Sequence, residues 1–444
     1  MKIELGGRYG YRRMVKSSIP AVMMIMVSSL YSIVDGIFVS NCTGTTAFAA
    51  LNLVWPALMV VGAIGLMFGT GGSAMVAMII GQGDRERANR VFTMLIRTLI
   101  ITAVTLSVLL FLFIRPVSYW LGADEEMIDL CVIYGRILLV AMPMYMLQLA
   151  FGPLYMAAEK PQIGTWVTIL CGIANILFDA LFILVFKWGL AGAAAATGLA
   201  QALGGIFPLV YFSSRKFNTT GLRFVKTRTD WRSIFHACSN GLSEYVTNIS
   251  LSVVGICYNL QLMRLIGEDG VAVYGILIYL GYVYASFFIG FNITVSPIVS
   301  YNYGAQNHAE LKSLLRKSIT ILLAVGTMLT ILSELLSNVM SGVFVSYDPQ
   351  LKELTGHAIR LYMISFILYG FNLFVSAWFT ALNNGIVSAI AAFVRTLVFE
   401  LGSIFVLPLF WGLDGVWLAV DMADLLDLFV SVILLKAFQK RYNY

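Results

Sequence analysis

Long apolar stretches recur along the whole chain, and short polar segments separate them. A helix needs about 20 apolar residues to cross the bilayer core, so stretches of this length predict transmembrane helices. A membrane β-barrel is disfavoured, because its strands would be short and alternating, whereas these stretches are continuously apolar. We therefore predict an all-α polytopic membrane protein with twelve transmembrane helices. They lie near residues 14–40, 46–80, 90–114, 126–157, 162–186, 190–213, 234–265, 270–302, 311–345, 351–382, 386–410 and 414–438.

Composition agrees with this fold class and limits the partners. Of the 444 residues, 59% are hydrophobic and 12% are charged, whereas soluble domains average about 45–50% apolar and about 25% charged residues. Twelve spans place both termini on one side of the membrane, and that side carries 23 of the 29 Lys and Arg residues. By the positive-inside rule, we expect a cell-membrane protein with cytoplasmic termini. This distribution explains the net charge of +6 without a nucleic-acid partner.

The two halves of the chain align at a constant offset of 223 residues. At this offset residues 81–84 fall on 304–307, and residues 188–192 fall on 411–415. Six spans in each half give both halves the same orientation, so their symmetry axis should lie along the membrane normal. We predict two six-helix bundles related by pseudo-two-fold symmetry. The predicted parts are an N-terminal bundle, a cytoplasmic linker and a C-terminal bundle, over residues 1–214, 215–232 and 233–444.

Two acids of the first half, Asp35 and Asp179, fall inside predicted spans. A charged side chain at the bilayer centre costs roughly 2.5–3.5 kcal/mol on insertion scales, so each needs a reason. Asn175 lies four residues before Asp179, on the same helix face. Thr197 lies in a stretch of small residues, which allow neighbouring helices to approach closely. Carboxylate, amide and hydroxyl oxygens suit a hard cation such as Na⁺, and a pair of buried acids equally suits a proton.

The repeat shows that this set belongs to one half only. A structural role would be expected in both halves, so a one-sided set indicates function. The choice between a proton and Na⁺ stays open at this point. In the second half, the positions equivalent to Asp35, Asn175, Asp179 and Thr197 are Tyr258, Val398, Gly402 and Val420.

The second half has its own acids within predicted spans. Arg395 is a candidate partner of Glu400, but a spacing of five residues is poor for one face of an α-helix. The three acids of the last span recur every third residue, so their common face either lines an aqueous cavity that attracts cations or forms a packed polar seam. The candidate cavity acids are Glu244, Glu400, Asp421 and Asp424, with Asp427 completing the row on the last span.

Several short strings together resemble the MATE (multidrug and toxic compound extrusion) family, in its bacterial DinF-like and multidrug-export branch. Their order and spacing carry the resemblance, which covers essentially the whole chain. The strings are Tyr-Ser-Ile-Val-Asp at 31–35, Gly-Gln-Gly-Asp at 81–84, Asn175 with Asp179, Gly-Leu-Ala-Gly-Ala-Ala at 189–194 and Tyr-Gly-Ala-Gln at 303–306.

The resemblance implies a V-shaped cleft between two six-helix bundles and export of organic, often cationic and amphipathic, compounds. It implies that entry of H⁺ or Na⁺ drives this export as antiport by alternating access. A first-helix proline associated with bending matches Pro20, whereas the C-terminal acid pair of other branches has no clean match. The cation or proton site that it implies in the first bundle corresponds to Asp35, Asn175, Asp179 and Thr197.

Three alternatives to an antiporter are a flippase, an enzyme and a channel. A lipid-linked precursor flippase of the same superfamily would share the fold, but it would more often carry a strongly cationic cavity. An enzyme is disfavoured, because His236, His308 and His357 have no metal or nucleophile partner at recognisable spacing, and no P-loop is present. A channel is disfavoured by the lack of a filter loop or charged ring. We expect a monomeric transporter in the lipid bilayer, with small organic substrates, no cofactor, and no metal except Na⁺ if Na⁺ is the coupling ion.

Overall fold

The computed structural model describes residues 4–42, 45–214, 216–345 and 348–444, and within these ranges the chain forms helices and no β-strand. The helices of the first half are α1 (Tyr11–Cys42), α2 (Thr45–Gly81), α3 (Arg85–Leu121), α4 (Ile128–Ala157), α5 (Pro161–Asp179) and α6 (Gly189–Ser213). Local sequence sets their ends: Asp84 caps α3 by accepting from the Arg87 N–H, and Pro161 occupies the first turn of α5. A π-helical segment, Ala180–Val185, extends α5.

The second half repeats this arrangement with more interruptions. Its helices are α7 (Trp231–Asn240), α8 (Leu242–Ile266), α9 (Glu268–Gly304), α10 (His308–Phe344), α11 (Pro349–Tyr362), α12 (Phe366–Ala381), α13 (Gly385–Phe393), α14 (Leu401–Val406), α15 (Pro408–Trp417) and α16 (Ala419–Tyr442). A π-helical segment, Val394–Glu400, joins α13 to α14. A 3-10 turn, Met363–Ser365, joins α11 to α12.

The predicted fold class is confirmed. Each predicted span corresponds to one long helix or to two helices joined with little interruption. Among the described residues, eleven helical stretches are long and apolar enough to cross a membrane. The twelfth span begins after Gly412, where a non-helical backbone divides α15, and continues through α16. Helix α16 falls short in apolar composition because it carries Asp421, Asp424 and Asp427.

The internal repeat is visible in the backbone. Helices α2 and α9 each have 37 residues and begin 223 positions apart, and the same is true of α3 and α10. Gly189 and Gly412, also 223 positions apart, have φ angles of +57° and +56°. This left-handed conformation favours glycine, because other residues meet a steric penalty there. The two halves therefore share element lengths, and this pair of turns shares its backbone conformation.

Buried apolar side chains form two separate clusters, one for each half. The first cluster is built mainly from α2, α3, α4 and α6. The second cluster is built mainly from α9, α10, α11, α12 and the helices that follow. Each half thus buries most of its apolar surface within itself, as expected for two bundles. The second cluster also includes a few first-half residues, among them Ala77 of α2 and Ala157 of α4.

The bundles meet closely on the side that carries both termini. A Cβ atom placed on Gly241 would lie 1.9 Å from the carbonyl oxygen of Met67. One placed on Gly304 would lie 2.1 Å from the carbonyl oxygen of Met78. Both contacts join α2 of the first half to the second half, and no side chain larger than hydrogen fits at either glycine without displacement. The backbones therefore touch at this end of the molecule.

Helix α1 lies between the bundles and contacts both. The Thr165 hydroxyl of α5 donates to the Pro20 carbonyl at 2.7 Å. Two residues further on, the backbone nitrogen of Val22 would lie 2.5 Å from a Cβ atom on Gly290 of α9. Pro20 lacks an N–H and so weakens the helix at this point. The weak point of α1 is therefore held by the first bundle on one side and by the second on the other.

Close glycine packing predicts where substitutions are costly. A Cβ atom on Gly65 would lie 2.3 Å from the carbonyl oxygen of Met146 inside the first bundle, whereas one on Gly255 would meet no atom within 4 Å. Overpacking costs about 1–3 kcal/mol. We expect Gly65→Val to lower the thermal unfolding midpoint of the purified protein in detergent, measured by tryptophan fluorescence, and Gly255→Val to leave it nearly unchanged. Equal midpoints for the two variants would contradict this packing.

Candidate functional site

Three helices bring the four predicted site residues of the first half together. Asp35 is on α1, Asn175 and Asp179 are on α5, and Thr197 is on α6. The Thr197 hydroxyl donates to Asp35 Oδ1 at 3.5 Å. The Asn175 amide Nδ2 in turn donates to Thr197 Oγ1 at 3.5 Å. These are long hydrogen bonds, so the residues surround a common point without being tightly tied to each other.

The centre of this site is shielded from solvent by the protein itself. The side chains of Asp179 and Asn175 are 0% and 1% exposed. Neither carboxylate oxygen of Asp179 accepts a hydrogen bond from an N–H or hydroxyl donor among the described residues, and the same holds for Asn175 Oδ1. The carboxyl group of Asp35 is close enough to form a hydrogen bond with that of Asp179 when one of the two is protonated. Asp35 is half-buried, and it is the charged group that acts on Asp179. Buried oxygens without partners are costly, so the arrangement favours a bound proton or cation.

Small residues allow the three helices to approach. A Cβ atom on Gly172 of α5 would lie 3.1 Å from the ring of Tyr31 on α1, one turn before Asp35. Thr197 follows four alanines on α6, so no large side chain keeps this helix away from its neighbours. Asp179 is the last α-helical residue of α5, directly before the π-helical segment. Such segments widen the helix locally and are frequent at functional sites.

A fifth residue, Tyr134 of α4, was missed by the sequence analysis. Its side chain is 1% exposed, and its charged neighbours are Asp35 and Asp179. No sequence signal points to it, because an isolated tyrosine in an apolar helix is ordinary. Tyr134 lies close enough to the acid pair for the charges of Asp35 and Asp179 to act on its phenol.

The chemistry of this set is that of oxygen ligands. Two carboxylates, one amide oxygen and one hydroxyl suit a hard monovalent cation or protons. In the part of the chain that the structure describes, no group of three or more His, Cys, Asp or Glu side chains is arranged to hold a metal ion. The set therefore offers two acids together with the neutral oxygens of an amide and a hydroxyl.

The second bundle contains a different buried polar group. Arg395, in the π-helical segment, forms an ion pair with Asp424 of α16, with 2.8 Å between Nε and Oδ1. The Asn372 amide of α12 donates to the Asp424 backbone oxygen at 2.8 Å and to its carboxylate at 3.2 Å. The Arg395 guanidinium also lies over the Tyr369 ring, 4.6 Å from its centroid. This group joins three spans.

Two expectations for the second-half acids need correction. Asp424 does not line a cavity, because it is 1% exposed and is paired with Arg395. Arg395 directs its ion pair to Asp424 rather than to Glu400, although Glu400 lies near enough to interact with its charge. The pairing was hidden because the two residues are 29 positions apart. Glu244 and Asp421 remain partly exposed.

Known proteins resemble the chain over nearly its whole length. The MatE family model matches it twice, over residues 20–181 and over residues 245–405. The multidrug export protein MepA of Staphylococcus haemolyticus (strain JCSC1435) is 23% identical over 97% of this chain and 94% of its own length. MepA of Staphylococcus aureus (strain MSSA476) is 20% identical over the same shares. The double match agrees with the internal repeat.

Solved structures share the fold. An outward-facing multidrug resistance transporter of the MATE family and MOP superfamily superposes with a TM-score of 0.91 at 23% identity, covering 99% of this chain and 98% of that one. A MOP superfamily transporter from Pyrococcus furiosus Vc1 (DSM3638), described as having a binding pocket of reverse polarity, gives a TM-score of 0.90 at 23% identity, with the same coverage. At these identities the likeness establishes the twelve-helix architecture.

The buried ion pair predicts an asymmetric effect of substitution. Removing one partner of a buried pair typically costs about 3–5 kcal/mol, whereas replacing both with apolar residues costs far less. We expect Arg395→Met to lower the free energy of unfolding strongly and Arg395→Met with Asp424→Leu to recover much of it, measured by chemical denaturation in detergent micelles. If the double variant were less stable than the single one, the two side chains would not be acting as a pair.

Proposed function

The chain belongs to the MatE family, and from this premise we propose that it is a secondary antiporter exporting organic cations in exchange for H⁺ or Na⁺. The observation that carries the proposal is the acid pair of the first half, in which Asp179 is fully buried beside the half-buried Asp35. The proposal draws further support from relatives named as multidrug export proteins. Those names do not favour the alternative of a lipid-linked precursor flippase.

Coupling requires the ion to stabilise one arrangement of the bundles more than another. Ion-free, the two acids repel each other, and Asp179 accepts no hydrogen bond from an N–H or hydroxyl donor among the described residues. Binding of one proton or one Na⁺ removes one of the two negative charges and with it the repulsion between two ionised carboxylates. Asp35 is on α1, so the change acts on the helix that contacts both bundles. We propose that ion binding therefore changes which packing of α1 is favoured.

The path from the acids to the second bundle runs along α1. Pro20 is four turns before Asp35, and its carbonyl accepts a hydrogen bond from Thr165 of α5, the helix that also carries Asp179. Val22 contacts Gly290 of the second bundle. A bend of α1 at Pro20 would therefore alter a contact with each bundle at once. This geometry supports Pro20 as the hinge of the transport cycle.

Orientation follows from the charges and the closed end. We propose that the Lys- and Arg-rich side carrying the termini faces the cytoplasm of a cell membrane. The close glycine contacts lie on that side, so the present arrangement is closed toward the cytoplasm and belongs to the outward-facing half of the cycle. We propose two bundles divided by a linker at residues 215–232. Glu244 lies on α8 next to the contact at Gly241 and forms no ion pair with any residue that the structure describes. It is a candidate partner for a cationic substrate.

The coupling role of the acids predicts the behaviour of neutral variants. In proteoliposomes with an imposed pH or Na⁺ gradient, we expect uptake of a fluorescent organic cation by the purified protein. Asp35→Asn and Asp179→Asn should each reduce gradient-driven uptake about tenfold or more, the factor that about 1.4 kcal/mol of lost coupling gives. Only a gradient of the coupling ion should drive uptake by the wild-type protein, so the same assay shows whether that ion is H⁺ or Na⁺.

A matched control is available in the second bundle. Asp421 is an acid of a membrane helix whose carboxylate oxygens likewise have no hydrogen-bond partner among the described residues. Because the proposed coupling site is one-sided, uptake by Asp421→Asn should still depend on the ion gradient, and any loss that it causes as a candidate cavity acid should appear in the substrate KM. Full gradient-driven uptake by both first-bundle variants, or loss of the gradient dependence in Asp421→Asn, would refute the assignment of coupling to Asp35 and Asp179.

A further inference from the structure

Residues 4–10, which precede α1 on the terminus-bearing side, connect the two bundles; we call them the N-terminal clasp. The Leu5 N–H donates to Glu159 Oε1 at 2.8 Å. Glu159 belongs to the turn between α4 and α5 of the first bundle. The Leu5 carbonyl accepts from the Asn302 amide at 3.3 Å, and Asn302 is on α9 of the second bundle. The main chain of one residue thus bridges both bundles.

The main chain of Tyr9 binds the other end of the clasp to the second bundle. Its N–H donates to Glu310 Oε1 at 2.9 Å, and its carbonyl accepts from the Lys317 ammonium. Its phenol donates to the Glu4 carbonyl at 2.8 Å. Burial raises the pKa of Tyr9 to about 12, so the phenol stays neutral and remains a donor at physiological pH. The acceptor Glu310 and the donor Lys317, both on α10, are ionisable side chains, and hydrogen bonds to charged groups are stronger than those between neutral groups.

Apolar packing adds to the hydrogen bonds. Leu5 and Tyr9 are each 1% exposed. Both belong to the apolar cluster of the second bundle, and the same cluster includes Ala77 of α2 and Ala157 of α4. At this end of the molecule the second cluster therefore reaches into the first bundle through the clasp. Separating the bundles here would expose apolar surface as well as break polar contacts.

The acceptor Glu159 is held in an unusual backbone conformation. Its φ angle is +60°, a left-handed value that costs a residue with a Cβ atom. Its N–H donates to the Met156 carbonyl at 3.0 Å, which closes the turn at the end of α4. Glycine would suit this backbone better. The turn itself does not require a glutamate side chain. We therefore attribute the glutamate at this position to the hydrogen bond that it accepts from the Leu5 N–H.

We infer that the N-terminal clasp holds the terminus-bearing side closed and has to leave Glu159 or Asn302 before that side can open. Because the clasp runs directly into α1, its release is tied to movement of the helix that carries Pro20 and Asp35. A cavity of about 420 Å³ between the clasp and the start of α10 leaves space beside it. The inference rests on the alternating access of the proposed function and adds a determinant of the closed state.

The test measures the opening of this side directly. Spin labels on cysteines at the exposed positions 90 of α3 and 312 of α10, with the native cysteines replaced, report the separation of the bundles by pulsed electron resonance in nanodiscs. Leu5→Asp places a carboxylate in the apolar cluster beside Glu159, so we expect the clasp to detach. The ratio of open to closed populations should rise about tenfold, which corresponds to about 1.4 kcal/mol.

Two further variants make the result specific. Gly10→Asp adds the same charge where a Cβ atom meets nothing within 4 Å, so it should match the parent distance distribution. Glu159→Gly relieves the left-handed backbone but removes the acceptor, so it should increase opening while preserving the fold, which size-exclusion elution and thermal unfolding check. Distributions for Leu5→Asp and Glu159→Gly that match the parent would overturn the inference.

This measurement needs neither ion gradient nor substrate, so its outcome is separate from that of the transport assay. If the neutral variants of Asp35 and Asp179 kept full coupling while Leu5→Asp still opened the bundles, the proposed function would fail and the clasp would stand. If coupling followed the acids but the clasp variants left the distances unchanged, the clasp alone would fail.

Discussion

The burial of Asp179 beside Asp35 is the constraint on which the rest of the molecule depends. An acid that is 0% exposed, with no N–H or hydroxyl donor to its carboxylate among the described residues, is stable only when a proton or a cation accompanies it or when the helices around it rearrange. The first bundle is built to hold this acid, with small residues at the contacts of α1, α5 and α6. In the second bundle, by contrast, Asp424 forms an ion pair with the guanidinium of Arg395. We therefore propose that the charge-changing site lies in the first bundle, whereas the buried acid Asp424 of the second bundle is paired with an arginine.

Helix α1 connects the acid pair to the interface between the bundles and to the closed end of the molecule. Along its length it carries Asp35 at the site, Pro20 with its hydrogen bond to Thr165, and Val22 against Gly290 of the second bundle. The N-terminal clasp directly precedes α1 in the chain and contacts both bundles. Movement of one helix therefore reaches the acid pair, the interface between the bundles and the closed end together. That continuity supports the proposed coupling between ion binding and conformation.

Much of the fold could be predicted from the sequence because its signals are local. Apolar runs marked the spans, and the offset of 223 residues recovered the equivalence of α2 with α9 and of α3 with α10. The four residues Asp35, Asn175, Asp179 and Thr197 could be grouped because charge is rare in such helices and helical spacing is regular. The structure brings these four together, but their role in coupling stays a prediction.

What the sequence did not reveal depends on contacts between distant segments. Tyr134 looks like any aromatic residue of a membrane helix until its neighbours are known. Closeness in sequence suggests Glu400 as the ion-pair partner of Arg395, whereas the actual partner, Asp424, lies on another helix. The clasp was invisible because its key contacts use the backbone N–H and carbonyl of Leu5, which any residue other than proline offers in full.

The central claim is that ion and organic cation are coupled through the acid pair, and coupling is reciprocal. The most direct measurement loads proteoliposomes with an organic cation, imposes no ion gradient, and records internal pH and Na⁺ while the substrate flows out. The account predicts that outflow of substrate drives the coupling ion inward against its own concentration, and that Asp179→Asn abolishes this ion movement. Outflow by the wild-type protein with no movement of either ion would contradict it.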